Sequence, residues 1–150
     1  MQWSGVEQAL LLNAGRYSHT QELIIPHLAK GVNVICDRYV DSTYAYQAAL
    51  GASLEMLQEL HKLLLNSFYP DLTLWLDVSP EVAWSRVEKR QEQGVVHAFE
   101  VKQTFQKKVY EQYVLLAKRF PDRIIRIDAH KTVEEVFASI THHVSRVLGI

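Results

Sequence analysis

Asp37-Arg38-Tyr39 follows directly on Val32-Asn-Val-Ile-Cys36, a short and mostly apolar run rich in β-branched residues. An arginine at the end of such a run offers a planar fork of N–H donors that suits a phosphate better than a lysine ammonium does. The neighbouring carboxylate can hold Mg²⁺ through water or orient the arginine. The same two residues also fit a plain strand-end ion pair, so alone they leave the chemistry open. The residues after them narrow the choice. Tyr39, Ser42, Thr43, Tyr46 and Gln47 place two aromatic rings, two hydroxyls and one amide within nine positions. On a helix starting near Asp41, Ser42, Thr43, Tyr46 and Gln47 lie one turn apart and can face one pocket. An amide that donates and accepts, beside an aromatic wall, suits a planar base with amide-like edges. An N-capped surface helix with a tyrosine for packing would equally explain Ser42 and Tyr44.

These residues need a frame. Val32–Cys36 is too short for a helix and reads as a buried strand. Ahead of it, Leu10, Leu11, Ala14, Leu23, Ile24 and Leu28 recur at helical spacing, which predicts a helix from Val6 to Lys30 stopped by Gly31. Pro26 lacks a backbone donor and clashes with the preceding turn, so that helix must kink or restart there. Asp41 to Leu50 predicts a short helix ended by Gly51, and Ser53 can cap another running to about Asn66. "PDLTLWLDV" is the clearest strand, with Leu72, Leu74, Leu76 and Val78 on one face and Trp75 keeping the other largely apolar. Ser79-Pro80-Glu81 supplies an N-cap, a proline at the first helical position and an early acid. The helix they open carries Val82, Trp84, Arg86 and Arg90 up to Gly94.

Phe99 to Phe120 reads as a long amphipathic helix on Phe105, Val109, Tyr113, Leu116 and Phe120. "RIIRID" is a third strand. Thr132-Val-Glu-Glu135 is a capping box that opens a last helix with Val136, Ile140, Val144 and Val147 on its core face. Short apolar strands alternating with helices call for an α/β fold, a parallel sheet covered by helices on both faces. Ligands in such sheets bind beyond the carboxyl ends of the strands, where Asp37, Arg38 and Asp77 stand.

Composition sets the outer bounds. The 150 residues, 48% hydrophobic and 22% charged, are read as one globular domain spanning 1–150. A formal net charge of −1 argues against non-specific attraction to nucleic acid or membrane. Cys36 is the only cysteine, so no disulfide framework exists and a reducing, cytoplasmic setting is expected. No run approaches ~18 apolar residues, and no charged-then-apolar leader opens the chain. The seven histidines are scattered, and His142-His143 lack the i, i+4 spacing of a zinc helix. No direct metal ligand set is expected.

"DRYVDSTYAYQ" resembles the Asp-Arg-aromatic…Ser-x-x-Ala-Tyr-Gln signature of thymidylate kinases. "NAGRYSH" resembles that family's arginine-x-x-histidine turn on the preceding helix. "PDLTLWLDVSPEV" is similar to its next strand and helix start, "AFE" after Gly94 to the end of its lid segment, and "RIIRIDA" to its last strand with an Ile-Asp-Ala loop. The motifs keep the family's order across the whole chain. The fold implied is a P-loop kinase-like three-layer sheet, and the reaction implied is dTMP + ATP → dTDP + ADP with Mg²⁺.

The resemblance also implies roles. Arg38 would hold the dTMP phosphate, with Asp37 beside it at the Mg²⁺ and phosphates. Arg16 would reach the thymine edge, and Ser42, Thr43 and Gln47 would hydrogen-bond the base or its surroundings. Tyr46 would pack near the sugar, where a 2′-hydroxyl would crowd it, and Tyr39 would line the same cavity. Asp128-Ala129-His130 would lie near the ATP adenine. Homodimerisation through helices is also implied.

Three departures stand out. The family usually carries an aromatic residue four positions before the base-reading arginine, where this chain has Leu12; the lost stack would cost ~0.5–1.5 kcal/mol beyond its area. In many bacterial members the lid reads Asp-Arg-aromatic-Glu, aligned here with His97-Ala98-Phe99-Glu100. An arginine that stabilises transferred charge can be worth ~10³–10⁵ in rate, which leaves Arg86, Lys89 and Arg90 as lid candidates, or as a basic solvated helix face. Lastly, no Gly-x-x-x-x-Gly-Lys-Ser/Thr occurs anywhere in the 150 residues. In the family that loop follows the first strand, so the sheet is expected to be incomplete, without its first two strands, that loop and the first helix. The strands that remain would either close up or take another segment between them. The chain alone is expected to be a poor phosphoryl-transfer catalyst. The alternatives are a non-catalytic, nucleotide-binding or subunit-pairing protein, and a deoxynucleoside kinase with a related acid-arginine motif.

Overall fold

Ser4 and Glu7 start the first helix by capping each other. The Glu7 N–H donates to Ser4 Oγ (3.2 Å) and the Ser4 N–H to the Glu7 carboxylate (2.7 Å), which satisfies two donors that a helix start leaves open. The computed structural model describes residues 3–92 and 103–150 of the chain. These fall into two units, Met1–Tyr69 and Pro70–Ile150.

The first unit is helical. Helix α1 (Gly5–His19) runs through a π-helical turn at Thr20–Ile24 into the short α2 (Ile25–Leu28). The expected restart at Pro26 takes this form. Pro26 stands in the first turn of α2, and the Ile25 N–H donates to the Thr20 carbonyl five residues back. A widened turn just before the proline accommodates the donor that proline lacks. Gly31, at φ +73°, turns the chain out of the helix. Helix α3 (Val40–Ala49) ends before Gly51, at φ +91°. Ser53 Oγ accepts from the Met56 N–H to open α4 (Leu54–Leu65), and Asn66 closes it in the left-handed region.

The face that α1 buries is not its leucine stripe. Leu10 and Leu11 are 54% and 59% exposed, whereas Gly5, Ala9, Asn13 and Thr20 are buried. Close approach to α3 decides this. A Cβ on Gly5 would stand 2.5 Å from the Gln47 carbonyl oxygen, so only small residues fit along the contact. Leucines there would hold the helices apart.

Val32–Cys36 forms no strand. Ile35 is 96% exposed, and no described strand pairs with these residues. A strand is defined by a neighbour's ladder, and an unpaired run leaves its N–H and C=O groups to water.

The second unit holds the sheet among the described residues. Strands β1 (Thr73–Asp77) and β2 (Ile124–Asp128) run parallel, with Thr73 opposite Ile124 and Asp77 opposite Asp128. Between them in sequence come α5 (Pro80–Glu92), capped by Ser79 Oγ accepting from Val82 N–H at 3.4 Å, and α6 (Gln103–Arg119). Helix α6 packs on β2 and α5, and α7 (Val133–Leu148) packs on β2. The architecture is α/β, a small parallel sheet flanked by helices, consistent with a P-loop kinase core without its first strands.

The β1 faces differ from expectation. Trp75 and Asp77 are buried and Leu76 is 52% exposed, because α6 presents Tyr110 and Tyr113 to Trp75, each ring centred 5.7 Å away. The α6 core residues Val109 and Leu116 are buried as expected. On α7 the capping box forms, while Val136, Ile140 and Val144 are only half-buried and Val147 is exposed. No helix among the described residues is long and apolar enough to cross a membrane.

Candidate functional site

Arg38 is the first non-glycine residue along the chain with a positive φ among the described residues. Its φ is +65°, in the left-handed region where non-glycine residues are uncommon and which is often occupied at functional sites. This conformation carries the guanidinium over the Tyr46 ring, Cζ to centroid 5.2 Å. Asp37 and Arg38 are both exposed and make no ion pair among the described residues. The self-satisfied strand-end pair is therefore not what forms.

Arg16, one turn before the end of α1, is the hub of the first unit. Its Nη1 donates to Asn13 Oδ1 (2.8 Å), and its Nη2 donates to the Tyr39 carbonyl (3.4 Å) and to Thr43 Oγ1. Its Cζ lies 5.3 Å over the Tyr39 ring. Burial pulls the guanidinium below the ordinary arginine value, opposed by Tyr39, Tyr44, Asp41 and Cys36. Arginine nonetheless keeps its charge. The Tyr39 hydroxyl lies 2.9 Å from Thr20 Oγ1, and burial raises that phenol against the lowering effects of Thr20 and Arg16.

Helix α3 sorts its residues into two stripes. Thr43 and Gln47, four apart, are buried toward α1; Ser42 and Tyr46 are half-buried on the neighbouring stripe. Gln47 Nε2 donates to Gln8 Oε1 (3.2 Å), while its Oε1 is buried without a partner among the described residues. So the structure brings Arg16, Tyr39 and Thr43 together, ties Gln47 to Gln8 two turns earlier on α1, and sets Arg38 with Tyr46. Leu12 is exposed and takes no part in these bonds. Gln8, Asn13 and Thr20 were not foreseen. Their signal was polar residues interrupting a leucine-rich helix on the face away from the leucines.

In the second unit the strand ends tie to the start of α5. Arg126 Nε bonds the buried Asp77 carboxylate through Oδ2, while Asp77 Oδ1 has no partner among the described residues. The Ala129 N–H donates to the Asp77 carbonyl (2.8 Å), and Arg86 Nη2 to the Ala129 carbonyl (3.3 Å). Asp128 Oδ1 accepts from the His130 backbone N–H and Nδ1, each at 3.1 Å, which holds its carboxyl below the usual range. His130 Nε2 accepts from the Ser79 N–H (3.2 Å). Of the lid candidates, Arg86 is thus engaged with the Asp128–Ala129 turn and Lys89 is exposed. Arg90 belongs to α5. His97-Ala98-Phe99-Glu100 lies outside the described residues.

A family model described as Thymidylate kinase matches residues 2–140. The chain belongs to the thymidylate kinase family. Among the similar proteins is the thymidylate kinase of Orientia tsutsugamushi (strain Ikeda), 33% identical over 147 residues, 95% of this chain and 68% of that protein. The thymidylate kinase of Geobacillus sp. (strain WCH70) is 39% identical over 135 residues, 89% of this chain and 64% of its own length. That of Ruthia magnifica is 43% identical over 138 residues, 91% and 66%. The chain thus spans about two thirds of the length of these thymidylate kinases.

Thymidylate kinase membership implies the use of Mg–ATP. The described residues do not fit that group on their own. Mg²⁺ arrives on the ATP phosphates and needs few protein ligands, but the triphosphate needs a cradle of backbone donors, and the 150 residues carry no phosphate-cradling glycine loop.

Proposed function

We propose that Met1–Tyr69 carries the dTMP site of a thymidylate kinase, the enzyme that converts dTMP and ATP to dTDP and ADP. The observation that carries this reading is the Arg16 network. Three of the five guanidinium N–H donors are engaged by Asn13, Tyr39 and Thr43, leaving the Nε hydrogen and one Nη1 hydrogen for an acceptor. A thymine carbonyl is such an acceptor, and Gln47 lies one turn beyond Thr43 on α3, with its Oε1 buried and without a partner among the described residues. Arg38 presents its fork to a monophosphate, with Asp37 adjacent. Tyr39 and Tyr46 give the ring surfaces for base and sugar. The two units are read as one catalytic domain acting in the cytoplasm, with helix-mediated homodimerisation.

A hydrogen bond from a charged donor is worth about 1.5–3 kcal/mol. Arg16→Met should accordingly weaken dTMP binding about tenfold to hundredfold by isothermal titration. Unchanged affinity, or a wild-type chain that takes dAMP as tightly, would sink the assignment. Arg38→Ala should erode affinity for dTMP and spare that for thymidine; the reverse would favour a deoxynucleoside kinase. Because the 150 residues lack the phosphate-cradling loop, the chain alone should bind dTMP yet turn over little ATP. Ordinary dTMP-dependent ADP release in a coupled assay would overturn that expectation.

A further inference from the structure

His61 sits in the middle of α4 with no exposed surface. Its Nε2 lies 3.0 Å from the Phe68 carbonyl oxygen, and because a carbonyl only accepts, Nε2 carries the hydrogen. The imidazole meets the Tyr39 ring edge-on, 6.2 Å between centroids at 87°, and the Tyr44 ring at 6.4 Å and 84°. It also leans on Tyr69, 4.7 Å away, whose hydroxyl lies 3.0 Å from that of Tyr44. A fully buried imidazole among three tyrosines is more than a helix needs to close its core. Its position has a consequence through Tyr39. That residue is fixed by Thr20 at its hydroxyl and by His61 against its ring, and Arg16 rests on the same ring while donating to its carbonyl.

We propose, resting on the base-site reading above, that His61 is a positioning residue for nucleobase choice. Pinned to Phe68, it holds the Tyr39 ring, and the ring holds the Arg16 guanidinium. Thymine presents a carbonyl acceptor at its 4-position where cytosine presents an amino donor. An aligned guanidinium favours thymine; one that has lost its platform discriminates less. His61 itself touches no substrate. Loss of general stability would scale both nucleotides together, so the ratio of affinities is the quantity that reports positioning.

The test titrates dTMP and dCMP into the wild-type chain and into His61→Phe, His61→Gln and Arg16→Met. Phenylalanine keeps a ring against Tyr39 and loses the N–H to Phe68; glutamine keeps an N–H of similar reach and loses the ring. Each His61 variant should lower the dTMP-over-dCMP preference about two- to tenfold, the range of the aromatic pair lost in His61→Gln and of the hydrogen bond lost in His61→Phe. If Arg16→Met keeps the wild-type preference, the base-site reading fails and the proposal with it. If Arg16→Met loses the preference while both His61 variants retain it, the positioning role alone falls. Should the His61 variants not fold, nitrogen-15 NMR of the wild-type ring decides. The Nε2–H tautomer with ring signals that move on adding dTMP supports the proposal, and an Nδ1–H tautomer or unmoved signals overturn it.

Discussion

Two glycines on one helix should respond to the same substitution with opposite signs. At Gly5 an added Cβ meets the Gln47 carbonyl oxygen at 2.5 Å, Leu50 Cβ at 3.0 Å and the Ala52 nitrogen at 3.3 Å. The oxygen is backbone and cannot swing away, since it accepts from the Leu50 and Ala52 N–H groups at 3.2 and 3.0 Å. The helices must separate, at the ~1–3 kcal/mol typical of overpacking. Alanine recovers at most ~0.5–1 kcal/mol of the backbone entropy that glycine loses in a helix. The net effect of Gly5→Ala is therefore a loss of about 1–2 kcal/mol. Gly15 has nothing within 4 Å of an added Cβ. Gly15→Ala should then stabilise by about 0.5–1 kcal/mol. Urea unfolding followed by circular dichroism reads both. With a slope of about 1–3 kcal/mol per molar, the midpoints should move about 0.5–1 M down for Gly5→Ala and a few tenths up for Gly15→Ala. Midpoints that move together would refute the close approach of α1 to α3. On the dTMP site proposed above, separation at Gly5 should also weaken dTMP binding, because it moves Arg16 away from Thr43.

Trp75→Ala removes a ring stacked at 5.7 Å and 15° on Tyr113 and should destabilise the second unit by about 3–5 kcal/mol in the same assay; a loss below 1 kcal/mol would contradict its place in the core. Thr132→Ala deletes the cap of α7 and should cost about 1 kcal/mol, with Thr132→Ser restoring most of it. Amide exchange in the first turn of α7 provides the check. The Glu7 and Glu135 carboxyls are held below the usual carboxylate value, chiefly by the backbone N–H groups of Ser4 and Thr132. A folded pKa below the unfolded one stabilises above about pH 4.3 and is lost as pH falls through the folded value. First-turn amides of α1 and α7 should thus exchange faster, relative to their intrinsic rates, as pH drops from about 6 to 3. Constant protection would remove the capping boxes from the account.

The helix boundaries and caps were legible because they are local. Ser53, Ser79 and Thr132, expected as caps, each bond a backbone N–H three residues on, and so does Ser4, which the helix expected from Val6 did not include; no distant residue is needed to form such a cap. The parallel pair "TLWLD" and "IIRID" was legible from its apolar, β-branched and aromatic run between turn signals. Arg16, Tyr39 and Thr43 could be singled out by type and spacing, and the fold brings them into contact, while Gln47 bonds Gln8 instead. His61 could not, since one histidine among leucines carries no signal until Tyr39 and Phe68 are placed around it.

Residue types near one another in the chain therefore determined where most helices begin and end and which polar and aromatic side chains stood out as candidates. Only the tertiary structure decided that α1 turns its small and polar face inward, that Arg16 is clamped by Asn13, Tyr39 and Thr43, and that Arg38 lies over Tyr46. It also decided that Val32–Cys36 carries no strand. The division has one physical cause. A cap or a turn is completed by atoms a few residues away, whereas close helix contact, a guanidinium's partners and a strand's ladder are completed by atoms distant in sequence.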